Sequence, residues 1–322
     1  MRFLLFVLTN THIYVIISVV VFLFCYRLNE RNFSFFSETG FKMKYTLSAF
    51  ADEASPLLYE QIETMQKNGV DALEIRGVNG RNISDMTRDE VRCAYRMLSD
   101  AGISVWSIGS PIGKIGITDE FGPHLDKFKK IVDYARLCSA KCIRLFSFYG
   151  VDSAEKENEA LERLSAMADA AKGSGVVLCH ENEKGIFGWN AENCLRILEQ
   201  IEGIRGIFDP ANFIQCGVDT KAAWDKLAGH IEYLHIKDAL ASGKVVPAGH
   251  GIGNLEYIIS AYHALGGNVY SLEPHLAVFK GFADLEKEGK TDIPEYEYPS
   301  SFAAFAASAD AAKAILDRVY AK

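Results

Sequence analysis

The sequence predicts a single (β/α)8 barrel that starts near residue 43 and continues to residue 322. Two observations favour this fold. Short aliphatic runs alternate with longer amphipathic segments eight times over about 280 residues, the count and length of such a barrel. The alternative, a doubly wound open sheet, would normally carry a glycine-rich phosphate-binding turn after an early strand. The first strand here runs into Phe50-Ala51-Asp52-Glu53 instead, so the barrel is favoured.

The strands are predicted where β-branched and aliphatic residues form short runs bounded by polar residues or glycine. They cover residues 45–50, 72–75, 103–108, 142–148, 176–181, 204–209, 231–236 and 268–273. The helices are predicted where apolar residues recur on one face, and most of them stop at a glycine, the usual C-terminal cap. They cover residues 57–67, 88–101, 125–140, 154–172, 191–201, 221–228, 255–265 and 301–320. Residues 280–299, rich in Glu, Lys, Pro and Tyr, are predicted to form a long loop before the last helix.

Residues 1–42 form a hydrophobic N-terminal extension that differs in composition from residues 43–322. Its uninterrupted apolar run, residues 13–26, is shorter than the roughly 20 residues that a membrane-spanning helix prefers. The run that starts at residue 3 is long enough only if a polar interruption is tolerated. Two interpretations of residues 1–42 stay open: they form a membrane anchor, or the start site of the protein has been assigned too far upstream. A cleaved signal is disfavoured because no small-residue cleavage site follows the apolar run.

Composition restricts the class of partner. The net charge is −8, the isoelectric point is about 5.6 and no basic block stands out, so nucleic-acid binding is not supported. The seven cysteines are scattered through predicted helices and strands and form neither a disulfide framework nor a zinc motif. These features predict a cytoplasmic protein with buried thiols, on a membrane only if residues 1–42 anchor it. Homo-oligomer formation is left open.

Four consecutive predicted strands end in side chains that can bind a metal. Glu181, Asp209, His235 and Glu273 follow the apolar runs of the fifth to eighth strands. Alternate residues of a strand face the same side, and counting back from each of the four gives one phase, while the opposite phase is mostly bulky and apolar. All four are therefore predicted to point into the mouth of the barrel at its C-terminal rim, where barrel enzymes carry out chemistry. His180 falls in the opposite phase and is predicted to be structural.

Three carboxylates and one imidazole that converge in a dry site need a counter-charge. One divalent cation supplies it. A site of three carboxylates and one histidine suits Mn²⁺, Mg²⁺ or Co²⁺ better than it suits structural zinc, and Zn²⁺ stays open as the ion of a catalytic site. The alternative is that the four residues share no ion and that each forms its own hydrogen bonds with the backbone of a loop. The matching phase on four adjacent strands favours the metal.

Five motifs carry a resemblance to a known family. They are Cys179-His180-Glu181-Asn182, Phe208-Asp209-Pro210-Ala211-Asn212-Phe213, Leu234-His235-Ile236-Lys237-Asp238, Pro247-Ala248-Gly249-His250-Gly251-Ile252-Gly253 and Leu272-Glu273-Pro274-His275. The chain resembles the xylose isomerase-like TIM-barrel superfamily, and within it the sugar phosphate isomerase/epimerase group. The resemblance implies that Glu181, Asp209, His235 and Glu273 bind one divalent metal ion. It also implies that Glu181 and Glu273 act as acid and base on a small carbohydrate substrate.

Isomerisation or epimerisation of a sugar removes a proton from a carbon beside a carbonyl group. A metal that binds the substrate oxygens would stabilise the enediolate, and an acid and a base on opposite faces would move the proton. A metal-dependent lyase, such as a dehydratase of an inosose-like ketone, is the alternative within the fold. An apurinic endonuclease is disfavoured, because the second and third strands lack terminal histidines. A non-catalytic sugar-binding barrel is the remaining alternative.

Further residues are candidates for substrate contact. Asn212 stands where ketose 3-epimerases of the family carry histidine, and His250 stands where many relatives carry an acid. Lys237 shares the inward phase of His235, so it is predicted either to hold a substrate oxygen or phosphate or to pair with Asp238 or another acid. Three further charged strand residues are predicted to form a buried ion-pair layer low in the barrel. They are Glu74, Arg76 and Arg144.

Overall fold

The computed structural model describes residues 45–277 and 298–321. In this part of the chain, eight parallel strands close a barrel in the order β1-β8-β7-β6-β5-β4-β3-β2. The strands are β1 Thr46–Ala49, β2 Ala72–Ile75, β3 Ser104–Ile108, β4 Cys142–Leu145, β5 Val177–Glu181, β6 Ile204–Phe208, β7 Ile231–Ile236 and β8 Val269–Leu272. The predicted (β/α)8 barrel is confirmed. The extension 1–42 and most of the predicted loop 280–299 lie outside the described residues.

Eight helices of eight or more residues cover the outside of the described barrel. They are α1 Leu58–Lys67, α2 Arg88–Asp100, α3 Phe121–Leu137, α4 Ala154–Ala171, α5 Ala191–Gln200, α6 Thr220–Leu227, α7 Leu255–Ala264 and α8 Ser301–Tyr320. α2 begins with a capping box in which the Thr87 and Glu90 side chains accept each other's backbone N–H groups. Gly102 and Gly203, just after α2 and α5, have φ of 76° and 91°, which explains why glycine marks these helix ends.

The inward and outward faces of the strands follow the predicted alternation. The interior holds a small apolar layer, to which Cys179, Ile207 and Tyr233 belong, and this layer forms the floor beneath the strand ends. The opposite phase, which includes Leu178 and Phe208, joins the large core between strands and helices. Inward-facing side chains that come after this layer along their strands therefore lie above an apolar floor, at the C-terminal mouth.

Two short antiparallel ribbons extend the mouth. Gly77–Val78 pairs with Arg81–Asn82 after β2, and Asp238–Ala239 pairs with Val245–Val246 after β7. The sequence patterns did not predict these ribbons, because two-residue strands have no periodicity to detect. They shape the loops on the side of the barrel where the strands end.

Thiols and hydropathy agree in part with the predictions from composition. The six cysteines of the described residues are free, and four of them, Cys138, Cys142, Cys179 and Cys194, are buried. Within residues 45–277 and 298–321, no helix combines the length and the apolar character needed to cross a bilayer. The cytoplasmic location and the oligomeric state stay predictions.

Candidate metal centre at the barrel mouth

The structure brings the four predicted ligands together. One ligand atom each from Glu181, Asp209, His235 and Glu273 lies within 4.8 Å of the other three, and all four residues are buried. They stand at or just past the ends of β5, β6, β7 and β8, four strands that are neighbours in the barrel. The register pairs Glu181 with Ile207 and His235 with Ser271, so Asp209 and Glu273 each lie two residues beyond the residue paired with the preceding ligand.

His235 is oriented by carboxylates on both sides of its ring. Its Nδ1 lies 3.1 Å from Glu181 Oε1, 3.5 Å from Glu273 Oε2 and 3.6 Å from Asp209 Oδ2. On the other side its Nε2 lies 3.2 Å from Glu74 Oε2. Burial lowers the pKa of His235, but the surrounding carboxylates, first Glu181 and then Glu74, raise it well above its usual value. A carboxylate on the far nitrogen is the arrangement that orients metal-binding histidines, because it leaves Nδ1 directed at the ligand cluster.

Asp209 is held in place through its backbone and one carboxylate oxygen. Its Oδ1 accepts a hydrogen bond from the backbone N–H of Asn212 (2.8 Å), which caps the short helix Pro210–Gln215. The Asn182 side-chain amide bonds the Asp209 N–H and carbonyl, each at 2.9 Å. The other oxygen, Oδ2, is buried and makes no well-aligned hydrogen bond, although Lys237 Nζ lies 2.9 Å away. Burial raises the pKa of Asp209 in spite of that lysine.

Three buried cations hold the remaining carboxylates. Lys237 Nζ lies 2.9 Å from Asp209 Oδ2 and 2.8 Å from Glu273 Oε2. Arg144 Nη1 lies 3.1 Å from Glu181 Oε2 and 3.7 Å from Glu273 Oε1, so one guanidinium spans both glutamates. Arg76 Nη1 adds a contact of 3.4 Å to Glu273 Oε1.

These cations set the ionisation of the two glutamates. Burial acts to raise the pKa of Glu181, but His235 and Arg144 lower it to about 2. Burial opposes ionisation of Glu273 in the same way, and Lys237 is the strongest of the groups that hold its pKa well below the usual value. Both carboxylates are therefore charged at neutral pH.

The residues fit a divalent cation. Besides Asp238, six buried carboxyl groups share the mouth with three buried lysine and arginine side chains. The carboxylates are Asp52, Glu53, Glu74, Glu181, Asp209 and Glu273, and the cations are Arg76, Arg144 and Lys237. Oxygen donors with one imidazole suit Mg²⁺, Mn²⁺, Co²⁺ or catalytic Zn²⁺. The Asp209 oxygen without a well-aligned hydrogen bond lies within this donor set.

A second group of ligand-type side chains, Glu53, Glu273 and His275, also lies within 4.8 Å. We assign no metal to it. The guanidinium of Arg76 contacts both Glu53 (3.1 Å) and Glu273 (3.4 Å), so a cation of the chain itself already bridges these two carboxylates. Arg76 also forms two hydrogen bonds with Asp52, at 2.9 and 3.0 Å, and is fully engaged on that side of the mouth.

The predicted substrate contacts lie in different environments. Asn212 is buried, and its side-chain amide donates to Glu181 Oε1 (3.2 Å) and to the Asn182 carbonyl (2.9 Å). Lys237 forms ion pairs, which was the alternative prediction for this residue, and its partners are Asp209 and Glu273 and not Asp238. His250 is exposed on the loop after β7 and is not part of the buried cluster. Substrate contact by these three residues stays a prediction.

Two expectations about other residues are resolved. His180 is structural as predicted, since it is buried and its Nε2 lies 3.0 Å from Ser147 Oγ.

The ion pairs of Arg76 and Arg144 exist, but their predicted position low in the barrel is wrong. Both arginines contact the ligand cluster, because Arg76 follows the last residue of β2 and the long Arg144 side chain extends upward from β4. The guanidinium carbon of Arg76 lies 4.4 Å from the centre of the Phe50 ring, and that of Arg144 lies 4.7 Å from it.

Sequence reasoning missed the function of Asp238. Its carboxylate accepts hydrogen bonds from the backbone N–H groups of Gly249 (2.9 Å), Gly251 (3.0 Å) and Gly253 (2.9 Å). These glycines belong to the motif Pro247–Gly253. A Cβ atom at Gly251 would come within 2.3 Å of the Asp238 carboxylate, so glycine is required for the close approach. The sequence feature that could have indicated this role is the spacing of the three glycines at every second position, 11 to 15 residues after the acid.

The fold and the cluster define a class, the parallel (β/α)8 barrels with a cluster of carboxylates and histidine at the C-terminal mouth that could bind a metal ion. A family model described as xylose isomerase-like TIM barrel matches residues 62–290, and the chain belongs to that family. The family resemblance expected from the motifs is confirmed. Curated protein sequences give no significant match.

Solved structures of the same fold differ in the activity that their names state. L-ribulose 3-epimerase is 18% identical, with a TM-score of 0.68 over 87% of this chain and 96% of that one. The IolI protein, solved with a bound zinc atom, is 17% identical, with a TM-score of 0.67 over 86% and 100%. The probable 3-DHS dehydratase AsbF of Bacillus anthracis, involved in petrobactin synthesis, is 15% identical, with a TM-score of 0.63 over 84% and 98%. At these identities the likeness concerns the fold.

Proposed function

We propose that this protein is a divalent-metal-dependent isomerase or epimerase of a small carbohydrate, acting through α-proton abstraction. The observation that carries the proposal is the convergence of Glu181, Asp209, His235 and Glu273 within 4.8 Å at the mouth of the barrel. Membership of the xylose isomerase-like family and the epimerase fold among its structural neighbours support it.

Glu181, Asp209, His235 and Glu273 would hold the ion, and Glu181 and Glu273 would also move the proton. A bound ion would supply Lewis-acid chemistry at the carbonyl oxygen of the substrate. Because Glu181 and Glu273 are both ionised, either can accept the substrate proton, and the carboxyl group that forms can return it to the neighbouring carbon, which completes an isomerisation. An epimerisation would need the second glutamate to enter the cycle protonated, so that it delivers its proton to the opposite face of the same carbon while the first keeps the proton it removed. Arg144 contacts both glutamates and fixes their relative position.

Metal analysis tests the binding part of this proposal. We expect about one divalent ion per chain in protein purified without chelator, and loss of that ion in Asp209→Asn. Glu199→Gln is the matched control for Glu181→Gln and Glu273→Gln, the variants used in the activity test below, because Glu199 is exposed on α5, outside the cluster. Absence of any metal under every supply, or equal metal content in Asp209→Asn and the unmodified chain, would contradict the proposal.

Hydrogen exchange tests the chemical part. Ketoses incubated with the metal-loaded protein in D₂O should gain deuterium at the carbon beside the carbonyl group, and new isomers should appear in the proton NMR spectrum. Glu181→Gln and Glu273→Gln should abolish both signals, at a loss of roughly 100-fold or more, the effect typical of a general acid or base. Full activity in both variants would sink the assignment of the acid and base.

A dehydratase is the second candidate, because the same fold carries the probable dehydratase AsbF. Proton abstraction by Glu181 or Glu273 would then be followed by loss of a hydroxyl group as water. The same NMR experiment separates the two. An isomerase gives a product of the same mass as the substrate, whereas a dehydratase gives one that is lighter by one water molecule and contains a new carbon–carbon double bond.

A further inference from the structure

We propose that the substrate of this site is an uncharged polyhydroxy ketone or aldehyde and not a phosphate ester. This inference rests on the proposed function and narrows it. Its basis is that two sets of chain groups able to bind a phosphate at the described part of the mouth, the buried cations and a glycine-rich run of backbone N–H groups, are already bound by carboxylates of the chain itself. The divalent ion of the proposed function is common to both kinds of substrate and does not distinguish them.

The buried cations are the first of these groups. In residues 45–277 and 298–321, the lysine and arginine side chains that are buried are Arg76, Arg144 and Lys237. Each contacts at least two carboxylates at 3.7 Å or less. A phosphate that recruited one of them would leave a buried carboxylate with a weaker counter-charge, which is strongly unfavourable. These cations therefore hold the catalytic carboxylates and are poorly suited to bind a second anion.

A further lysine beside the mouth is engaged in the same way. Lys114 lies in the loop after β3, and its Nζ is 2.8 Å from Glu183 Oε2 in the loop after β5. The ammonium also lies over the ring of Phe146, 4.3 Å from its centre. Its side chain and that of Glu183 are only 9% and 15% exposed, so water contributes little to this pair.

The loop after β7 is the second group. In barrels of this kind, loops after the seventh and eighth strands frequently bind phosphate through backbone N–H groups. Here the N–H groups of Gly249, Gly251 and Gly253 converge on a single anion, and that anion is the carboxylate of Asp238. The Ala239 N–H donates to the same carboxylate at 2.9 Å. Asp238 therefore occupies the place that a phosphate group would take in this loop.

Hydroxyl groups make different demands on the mouth. They can donate to carboxylate oxygens and accept from amide or imidazole N–H groups without adding net charge. Carboxylates exceed lysines and arginines among the buried groups of the mouth. An uncharged polyol substrate leaves every ion pair of the mouth intact, which a dianionic phosphate does not.

The test compares a ketohexose with its 1-phosphate ester on the full-length, metal-loaded chain, with inorganic phosphate as a separate probe. Residues 278–297 follow β8 outside the described residues, so the full chain is required. We expect kcat/KM for the ester to be lower by about 100-fold or more, because an uncompensated buried charge costs at least 3 kcal/mol. Turnover of the ester at an equal or higher kcat/KM overturns the inference and leaves the proposed function intact.

Calorimetry with inorganic phosphate separates this inference from the proposed function. If neither sugar is turned over, the proposed function fails, and phosphate binding still decides the present inference. Saturable phosphate binding at millimolar or lower concentration that persists after a chelator removes the metal overturns it. Phosphate binding that requires the metal, or no binding, supports it, because a bound divalent ion would itself bind phosphate. The Asp238→Ala variant sharpens the result, because the loss of the carboxylate leaves the N–H groups of the glycine loop and the space in front of them free for an anion.

We expect Asp238→Ala to bind inorganic phosphate at least about tenfold more tightly than the unmodified chain, a change of about 1.4 kcal/mol. Asp126→Ala is the matched control, since Asp126 lies on α3 with its side chain 77% exposed and the charge change is the same. Equal phosphate affinity in Asp238→Ala, Asp126→Ala and the unmodified chain, with Asp238→Ala folded by circular dichroism, contradicts the assignment of Asp238 as the internal anion.

Discussion

The two halves of the barrel mouth carry charge in different ways. In the first, which we call the ligand half, β5 to β8 end in Glu181, Asp209, His235 and Glu273. In the other, the cation half, β1 to β4 and the turns after them contribute the arginines Arg76 and Arg144, together with Asp52, Glu53 and Glu74. One half supplies the candidate metal ligands, and the other contributes arginines that contact Glu181 and Glu273.

The comparison shows how a barrel can keep a dense group of acids buried. Glu181 and Glu53 are both buried, but burial raises the pKa of Glu53 to about 8 in spite of Arg76, whereas His235 and Arg144 lower that of Glu181 to about 2 against the effect of burial. The difference lies in the neighbours. Glu181 and Glu273 are charged because His235 and Lys237 lie beside them in the ligand half and Arg144 contacts both from the cation half.

The largest expected effect comes from breaking the link between the halves. Arg144→Met should lower the free energy of unfolding of the metal-free protein by about 3–5 kcal/mol, because Glu181 loses its nearest guanidinium while it stays buried. Urea unfolding in the presence of chelator measures this change. Arg136→Met, on the exposed face of α3, should change the free energy of unfolding by less than about 0.5 kcal/mol.

Arg144→Lys provides a second test in case Arg144→Met fails to fold. A lysine keeps the charge but cannot span Glu181 and Glu273 with one planar group, so its effect should be intermediate. Equal free energies of unfolding for Arg144→Met and the Arg136→Met control would show that the two halves are independent.

The next effect concerns Glu74, which belongs to the cation half but contacts His235. Glu74→Gln should lower the affinity for metal by about 10- to 100-fold, because the carboxylate that orients the imidazole through Nε2 is lost. Competition with a chelator of known affinity measures the change, and Glu199→Gln serves as the control. If Glu74→Gln binds metal as tightly as that control, the orientation of His235 depends on the ligand half alone.

The ligand half could be predicted from the sequence, and most of the cation half could not. Glu181 and Glu273 each follow an apolar strand, and period-two counting directs them inward, so local pattern was sufficient. Arg144 showed the same phase, but its partners depend on how far a long side chain rises and on which strands face each other across the closed barrel. Asp52 and Glu53 lie in a single 3₁₀ turn after β1, where no periodicity exists.

The same reasoning explains why Asp238 escaped notice. Its partners are backbone N–H groups 11 to 15 residues further along the chain, and backbone groups leave no trace in the sequence beyond the glycines that allow their approach. Spacing revealed the ligands of the metal centre, whereas the loop that shapes its entrance required coordinates.

A smaller effect, in pH dependence, separates Glu53 from Glu181. Because the pKa of Glu53 is raised in the folded protein, its contribution to stability is present at low pH and is lost as the pH rises from about 4.5 to about 8. Between pH 6.5 and 8, the free energy of unfolding of the metal-free protein should fall more steeply than that of Glu53→Gln, by up to about 1.4 kcal/mol per pH unit.

Glu181 should behave in the opposite way. Its lowered pKa contributes stability that is present above about pH 4.5 and is lost only as the pH falls towards 2, so Glu181→Gln should not change the slope between pH 6.5 and 8. Parallel slopes for Glu53→Gln and the unmodified chain would remove the distinction between the two halves.

The smallest effect tests whether the floor of the barrel supports the cation half. The Tyr233 hydroxyl donates to Glu74 Oε1 at 2.8 Å and lies 3.2 Å from Ser107 Oγ. Tyr233→Phe should lower the free energy of unfolding by about 1–2 kcal/mol, because the buried carboxyl group of Glu74 loses one hydrogen-bond donor. Tyr257→Phe is the control, since its hydroxyl bonds Asp225 on the surface and its loss should cost less than about 0.5 kcal/mol.

Metal affinity decides how far this support extends. Glu74 Oε1 faces Tyr233 and its Oε2 faces His235, so loss of the hydroxyl acts on the metal site only through one carboxylate. Tyr233→Phe should therefore weaken metal binding less than Glu74→Gln does, whereas Tyr257→Phe should leave it unchanged. A loss of metal affinity in Tyr233→Phe as large as in Glu74→Gln would mean that the floor, and not the carboxylate alone, fixes the imidazole of His235.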